Sequence, residues 1–520
     1  MTKSVVQRLR LVGRKRIVWF VVSACIVFLT WTFSSPPGSS PDEFFHIGSA
    51  YCVFGESDDC KFTDYTTDYY RLWAEIPYSG DPCFEQSAEI PASCENAPRP
   101  QVQRVPVDNG TRNYPVHYYW FANLILRLGA DVGIPLLRIV NALIGLTVLL
   151  AALHFAERRL VPGIVSAVVV LVVPQGFFIL ASVNPSSWAF TGVSFSWVFL
   201  HWLITNRNDA SNRKRLAVAG YFVMTVILTS ARYDSIFLLI VLNAAVLFLY
   251  WDRQMQISRK LVIGSSLLLF GVLVATNSKL DYVVRNVSKM FSNPEFFGFA
   301  RYWAIHFVEI PLTSLGLNYG NNGPTGIVTP PLVGHIQFGF LASAMVLAAL
   351  QRVLRQRLFF VAISLVLYLA ILQQVSVDGE TGFYMVQGRY FLPLLVGATG
   401  VFVALSESPV QLIQIKSIRS VLITGLSIAH LLTLFVFVRR YSSGYDNDYR
   451  RFELNVFKNF GLPTGWRYID AVSPIALIII GSIAYFVFIS LLLQHSDSDG
   501  TEDLKDEPRE TNAPRYSVPK

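Results

Sequence analysis

Apolar runs of about 17 to 22 residues recur along the chain from Ile17 to Gln494, each long enough to cross a hydrocarbon layer of about 30 Å as one helix. That repetition sets the expected fold class: an all-α polytopic membrane protein. Only 15% of the 520 residues are charged and the mean hydropathy is +0.43, whereas soluble domains carry about 25% charged residues. A water-soluble fold is excluded. The formal net charge of +8 could serve nucleic acid, but Lys and Arg fall in short clusters between the apolar runs and not on one basic face. They read as topology signals, with the lipid bilayer as partner and no nucleic acid.

The basic start, with Arg8, Arg10, Arg14, Lys15 and Arg16, leads into the apolar run from Ile17 to Phe33. The exit Ser34-Ser35-Pro36-Pro37 lacks a small-x-small cleavage site, and the run is longer than a usual signal core. It therefore reads as a retained signal anchor with the N-terminus in the cytoplasm. Cys25 lies within this run, while Cys52, Cys60, Cys83 and Cys94 crowd into the polar stretch that follows. An even cluster in an exported loop predicts two disulfides of undetermined pairing; the C-x-x-C spacing of a zinc site is absent. Asn109-Gly110-Thr111 and Asn286-Val287-Ser288 match the glycosylation sequon, a motif short enough to arise by chance.

Keeping the Lys and Arg of short connections on the cytoplasmic side gives about twelve spans. They fall near residues 17–33, 134–154, 163–182, 185–205, 216–231, 234–251, 261–277, 331–350, 358–375, 390–406, 420–438 and 473–494. The solution requires that residues 114–128 do not cross. Short, aromatic and carrying Arg127 near its end, that segment suits a helix lying at the interface. Arg439-Arg440 fall outside, against the charge rule. The predicted organisation is a cytoplasmic stretch at 1–16, a multi-span domain at 17–494 and a disordered cytoplasmic tail at 495–520. Long loops at 34–133 and 278–330 face outward from the plasma membrane, and chemistry is expected there because such loops are poor mere connectors.

The clearest local motif is Pro36-Pro37-Gly38-Ser39-Ser40-Pro41-Asp42-Glu43-Phe44-Phe45-His46. Ser40 fits a helix cap, Pro41 the first helical position, and Glu43 the carboxylate that reaches back to the cap amide. Both acids could serve only that helix terminus, yet Asp42 is not needed for the cap and shares a helix face with His46. Asn184-Pro185-Ser186-Ser187 reads as a tight outer turn opening the next span. Arg232-Tyr233-Asp234 is either a neutralised pair or an anion-binding Arg facing a cavity. Arg389, in Gln387-Gly388-Arg389-Tyr390, is either a snorkelling cation beside an interfacial Tyr or a phosphate ligand. Arg138 and Asn141 share a face at the outer start of the second span, free to pair with loop groups or to mark the interface. His117, Tyr118 and Tyr119 look like a membrane-belt cluster. No nucleotide, serine-hydrolase or zinc-hydrolase fingerprint occurs.

The order of these motifs, with Tyr114-Pro115-x-x-Tyr118-Tyr119, Ser182-Val183-Asn184-Pro185 and Gly388-Arg389-Tyr390-Phe391-Leu392-Pro393, resembles domain-of-unknown-function family 2142. Members of that family look like GT-C glycosyltransferases, which use polyprenyl-phosphate sugars outside the cytoplasmic membrane. The resemblance runs from about Ile17 to about Leu405. It implies a GT-C-like fold, to which the cysteine cluster adds a disulfide-bearing first outer loop, and Asp42 at the acidic catalytic position with Glu43 and His46 beside it. Arg389 and Tyr390 match the later motif and, with Arg232, Asn184, Arg138 and Tyr118, form the substrate-binding candidates. The family often carries Asp after Asn-Pro; Ser186 stands there, so no metal or catalytic role carries over to Asn184-Pro185. The cofactor is left open, with a divalent cation admitted because GT-C members differ in metal use.

The expected function is transfer of a sugar from a polyprenyl-phosphate donor to an envelope polysaccharide or glycolipid acceptor. A lipid phosphate leaves as a stable anion, so one base suffices. The alternative is a transporter or lipid-linked sugar flippase, whose paired interrupted helices, related halves and mid-membrane ionisable groups are not evident here. A third reading is a non-catalytic scaffold that holds an envelope partner through the cysteine-bearing loop.

Overall fold

The computed structural model describes residues 14–55, 60–64, 71–74, 82–85, 87, 89–96, 103–106, 114–157, 160–171, 174–206, 211–249, 330–349, 358, 362, 392–404, 415–444 and 473–495. Among them the chain is mainly helical. After α1 (Arg14–Phe33) comes the short α2 (Glu43–Tyr51). α3 (Val116–Leu126) and α4 (Ala130–Phe155) follow the first loop. Then come α5 (Val161–Leu171), α6 (Pro174–Leu180), α7 (Ser186–Thr205), α8 (Asn212–Ala231) and α9 (Tyr233–Leu249). The remaining helices are α10 (Pro331–Ala349), α11 (Leu392–Ala404), α12 (Lys416–Ser443) and α13 (Pro474–His495).

Four of these helices, α1, α4, α12 and α13, are long and apolar enough to cross a membrane. α5, α9, α10 and α11 supply shorter apolar segments. The single span expected at 163–182 is two helices, with α6 opening at Pro174. A proline lacks the amide that an uninterrupted helix needs there and clashes with the preceding turn.

The core centres on α7, which is buried from Ser186 through Ile204 and packs against α4, α8 and α11. A helix apolar on all sides belongs inside a bundle, and Trp188, Phe190, Phe195, Trp197, Phe199 and Trp202 fill the space around it. α5 lies close on α11: a Cβ on Gly163 would stand 2.4 Å from the Gly400 carbonyl oxygen, so only glycine lets the two backbones approach this far. On the other side α1 packs on α13, and α13 on α12. His430 of α12 accepts a hydrogen bond from Trp31 Nε1 at 3.1 Å and stacks on Tyr485 of α13 with centroids 4.1 Å apart.

The first loop departs from a purely helical fold. It holds a three-stranded antiparallel sheet of β1 (Cys60–Asp64), β2 (Arg71–Ala74) and β3 (Gln103–Pro106). Cys60 pairs with Ala74 and Phe62 with Leu72, and the register shifts between Phe62 and Asp64; Leu72 in turn pairs with Val105. Cys83 is disulfide-bonded to Cys94, Cys52 is also in a disulfide, and Cys25 is free. The Cys60 side chain lies outside the described residues, as do both sequons, the loop at 278–329, the segments at 261–277 and 363–375, and the tail beyond His495.

The Cys83–Cys94 segment is anchored by a residue that ran against the charge rule. Arg440, buried at one end of α12, donates to the carbonyls of Ile90 at 2.7 Å, Ser87 at 2.9 Å and Phe84. Its guanidinium is thus matched by loop dipoles. Next to it the Tyr441 hydroxyl donates to the Ser39 carbonyl at 3.3 Å, and Pro82 packs where a side chain on Gly38 would stand. The disulfide segment and the end of α12 together brace the turn before α2.

Candidate functional site

The turn between α1 and α2 is organised by Glu43, which is fully buried. Its carboxylate accepts from Arg138 Nε at 2.8 Å and from Arg138 Nη2 at 2.5 Å, a forked pair between α2 and α4. It also accepts from the backbone amides of Val183 at 2.8 Å, Gly38 at 3.1 Å and Ser40 at 3.4 Å. The remaining Arg138 donors go to the carbonyls of Thr32, Ser35 and Pro36 at 3.0, 3.0 and 2.8 Å. Every N–H of that guanidinium therefore has a protein acceptor. Glu43 does reach back to the Ser40 amide as the cap motif predicts, but its charge is matched by Arg138. The geometry gives the pair a structural place: it ties α1, α2, α4 and the turn before α7 into one node.

Asp42, the next residue back, supplies none of the Arg138 acceptors. It is half-buried and adopts φ 58° and ψ 16°, the one non-glycine residue of positive φ among the described residues. Asp tolerates this left-handed conformation better than most residues, but it still costs about 1–2 kcal/mol. The helix begins at Glu43 and not at Pro41, with Asp42 at the cap position and no side-chain cap bond. The His46 amide donates to the Asp42 carbonyl at 3.0 Å, so the two residues sit one turn apart, as their spacing predicts. Local strain of this kind persists only where surrounding contacts fix it, and it clusters at functional positions.

Around Asp42 the contacts form a closed circuit. Asn184 Nδ2 donates to the Pro41 carbonyl and its Oδ1 accepts from the Ser186 amide, both at 2.8 Å. Arg232 Nη1 donates to Ser186 Oγ at 3.2 Å, and its guanidinium lies 5.4 Å from the Tyr114 ring centroid. Tyr114 meets the His46 ring edge-on with centroids 4.8 Å apart. His46 Nδ1 and the Tyr119 hydroxyl are hydrogen-bonded at 3.0 Å. The circuit then returns through one turn of α2 to Asp42. The Asp234 side chain lies outside the described residues, and the Arg232 contacts described are those to Ser186 and Tyr114.

Tyr118 lies behind this circuit. Its hydroxyl accepts from Asn141 Nδ2 at 3.2 Å, and Asn141 Oδ1 accepts from Trp188 Nε1 at 3.0 Å. Burial, with a smaller contribution from the Glu43 charge, holds the Tyr118 phenol well above its ordinary range, so it stays protonated. Tyr118 and Arg138 are wall residues at 0% exposure and no substrate surface is available on either. His117 is exposed and outside the circuit. Arg389 and Tyr390 lie outside the described residues. Among the described residues no three His, Cys, Asp or Glu side chains gather as a metal ion would need.

Tyr114, Tyr119, Ser186 and Trp188 belong to the site although the sequence did not single them out for it. A signal was present for the first two. Tyr114, Tyr118 and Tyr119 recur at helical spacing just ahead of a span, with Tyr114 and Tyr118 one turn apart. Ser186 stood out only as part of the Asn184-Pro185 turn and Trp188 not at all, because their contacts depend on Arg232 and Asn141 arriving from other helices.

An apolar helical bundle with an acidic turn braced between α1, α4 and α7 defines a membrane protein. The chain belongs to the family of predicted membrane proteins known as DUF2142, whose model matches residues 25–398. No curated protein and no solved structure matches it.

Proposed function

We propose that this chain is a GT-C-like glycosyltransferase of about twelve spans in the plasma membrane, with both termini in the cytoplasm and Asp42 on the outer face. It moves a sugar from a polyprenyl-phosphate donor to a glycan or glycolipid acceptor of the cell envelope. The observation that carries this reading is Asp42: a half-buried carboxylate on a left-handed residue, one circuit of contacts away from the Arg232 guanidinium.

In the reaction Asp42 takes the proton of the acceptor hydroxyl as its oxygen attacks the anomeric carbon. The bond from that carbon to the phosphate oxygen breaks, and the lipid phosphate departs with the electron pair. Arg232, together with Arg389, balances the charge on the departing phosphate. Glu43 is bound by Arg138 and three backbone amides and serves to fix the turn that carries Asp42. His46 is held by Tyr119 and Tyr114.

The test is sugar transfer by purified protein in vesicles. Asp42→Asn is expected to fold normally and to lose about 10²- to 10⁴-fold in rate. Full transfer by a folded Asp42→Asn protein refutes the assignment.

A further inference from the structure

α3 presents two chemically different faces. One carries Tyr118, Tyr119 and Asn123, all buried; Asn123 Nδ2 donates to the Ala50 carbonyl at 2.9 Å, and Tyr119 meets His46. The other carries Trp120 and Leu124, 44% and 68% exposed, followed by Leu128 and Val132 at 59% and 57%. Phe54, 64% exposed, stands beside them under the guanidinium of Arg127, 5.8 Å from its ring centroid. Trp120 and Leu124, one turn apart on α3, form with Leu128 and Phe54 near its C-terminal end an apolar stripe too extensive for a surface that faces only water.

Two features of the chain indicate what covers the stripe. First, α3 packs against α4, a helix long and apolar enough to cross a membrane; Val132 and Leu143 are exposed along that helix. Second, α3 cannot continue α4 as one rod. Gly129 between them has φ 93°, and a Cβ on Gly133 would lie 2.8 Å from Leu126 Cα, so the chain folds back sharply at this point. With 11 residues, α3 spans about 16 Å, roughly half of the hydrocarbon thickness. A helix this short, folded back beside a crossing helix, with Trp and Arg at its rim, matches the interfacial pattern.

We infer that α3 is a membrane-surface helix whose Trp120 and Leu124, with Leu128 just beyond its C-terminal end, seat in the lipid of the leaflet nearest Asp42. Its opposite face thereby holds His46 and the Tyr114–Arg232 contact at the depth of the lipid head groups. For the glycosyl-transfer reading, on which this consequence rests, the anionic group recognised near Arg232 is one presented from the bilayer and not from bulk water.

The test reads the lipid contact without any activity. Nitroxide labels are placed one at a time at Trp120→Cys, Leu124→Cys and Leu128→Cys in a Cys25→Ser background, in vesicles of phosphatidylcholine and phosphatidylglycerol. Accessibility to oxygen and to a water-soluble nickel chelate is compared with that at Glu89→Cys, on the exposed disulfide segment. The oxygen-to-nickel ratio is expected to be several-fold higher at positions 120, 124 and 128 than at position 89, at a depth of about 5–10 Å below the head groups. A water-like ratio at Leu124→Cys overturns the inference. So does low access to both reagents, which would mean that a protein partner or a second copy covers the stripe. Either result leaves the Asp42→Asn transfer assay unaffected, so the two claims fail separately.

Discussion

The Glu43–Arg138 node makes a quantitative prediction that separates structural from chemical acids in the same motif. Glu43→Gln keeps the shape but turns one carboxylate oxygen into an NH₂ group. On the Oε2 side that group would face Arg138 Nη2 and the amides of Gly38 and Ser40, three donors that lose their acceptor. Placed on the Oε1 side, it would face Arg138 Nε and the Val183 amide instead. Either orientation leaves a buried guanidinium without its counter-charge, which costs about 3–5 kcal/mol. Arg138→Met should cost as much, because it also strips a donor from the carbonyls of Thr32, Ser35 and Pro36. Pairing it with Glu43→Met should recover only part of that loss, since the apolar pair satisfies neither the three carbonyls nor the Val183 amide. The assay is thermal unfolding in detergent, run as a double-mutant cycle with a coupling energy well above 0.5 kcal/mol expected. Asp42→Asn in the same assay should unfold like the parent. A Glu43→Gln protein of parental stability, or an Asp42→Asn protein destabilised as much as Glu43→Gln, would refute the division of labour between the two acids.

Asp42→Gly should keep or gain stability by up to about 1 kcal/mol while transfer is lost, since glycine adopts positive φ freely; Asp42→Val should lose about 1–2 kcal/mol in the same unfolding experiment. Arg232→Ala should weaken binding of the lipid-phosphate donor, with Arg232→Lys intermediate because it keeps charge but loses the planar fork, as read by donor titration in nanodiscs. Arg440→Met should release the Cys83–Cys94 segment and speed proteolysis between residues 86 and 89. Cys83→Ser with Cys94→Ser should cost about 2–4 kcal/mol, less than additively with Arg440→Met because both changes free the same segment.

What was legible in the sequence follows from range. Helices α1, α4, α12 and α13 announce themselves by apolar length alone, and the acidic turn by its prolines and paired carboxylates. Asp42 and His46 are four residues apart, and helical geometry brings them one turn apart whatever else the chain does. Glu43 and Arg138 are 95 residues apart, and local spacing could not tell a charge that binds substrate from one that binds another helix. The same applies to Arg440, which lies 350 or more residues from the carbonyls it holds. It read as a breach of the charge rule because the loop dipoles that neutralise it come from a distant segment. Strands of four or five residues leave too short an alternation to stand out among aromatics. The left-handed backbone of Asp42 was hidden because Ser40 and Pro41 offered a better helix start on propensity alone; the Glu43 contacts overrode it.

The central claim is that Asp42 removes a proton during transfer from a lipid-linked sugar. Mass spectrometry of lipid-linked sugars and envelope glycans from cells producing only the Asp42→Asn protein, at parental level in the membrane, tests it most directly. Accumulated polyprenyl-phosphate sugar with the matching glycan product missing is the predicted result. Donor and product at parental levels, in cells where deleting the whole protein changes both, would contradict it.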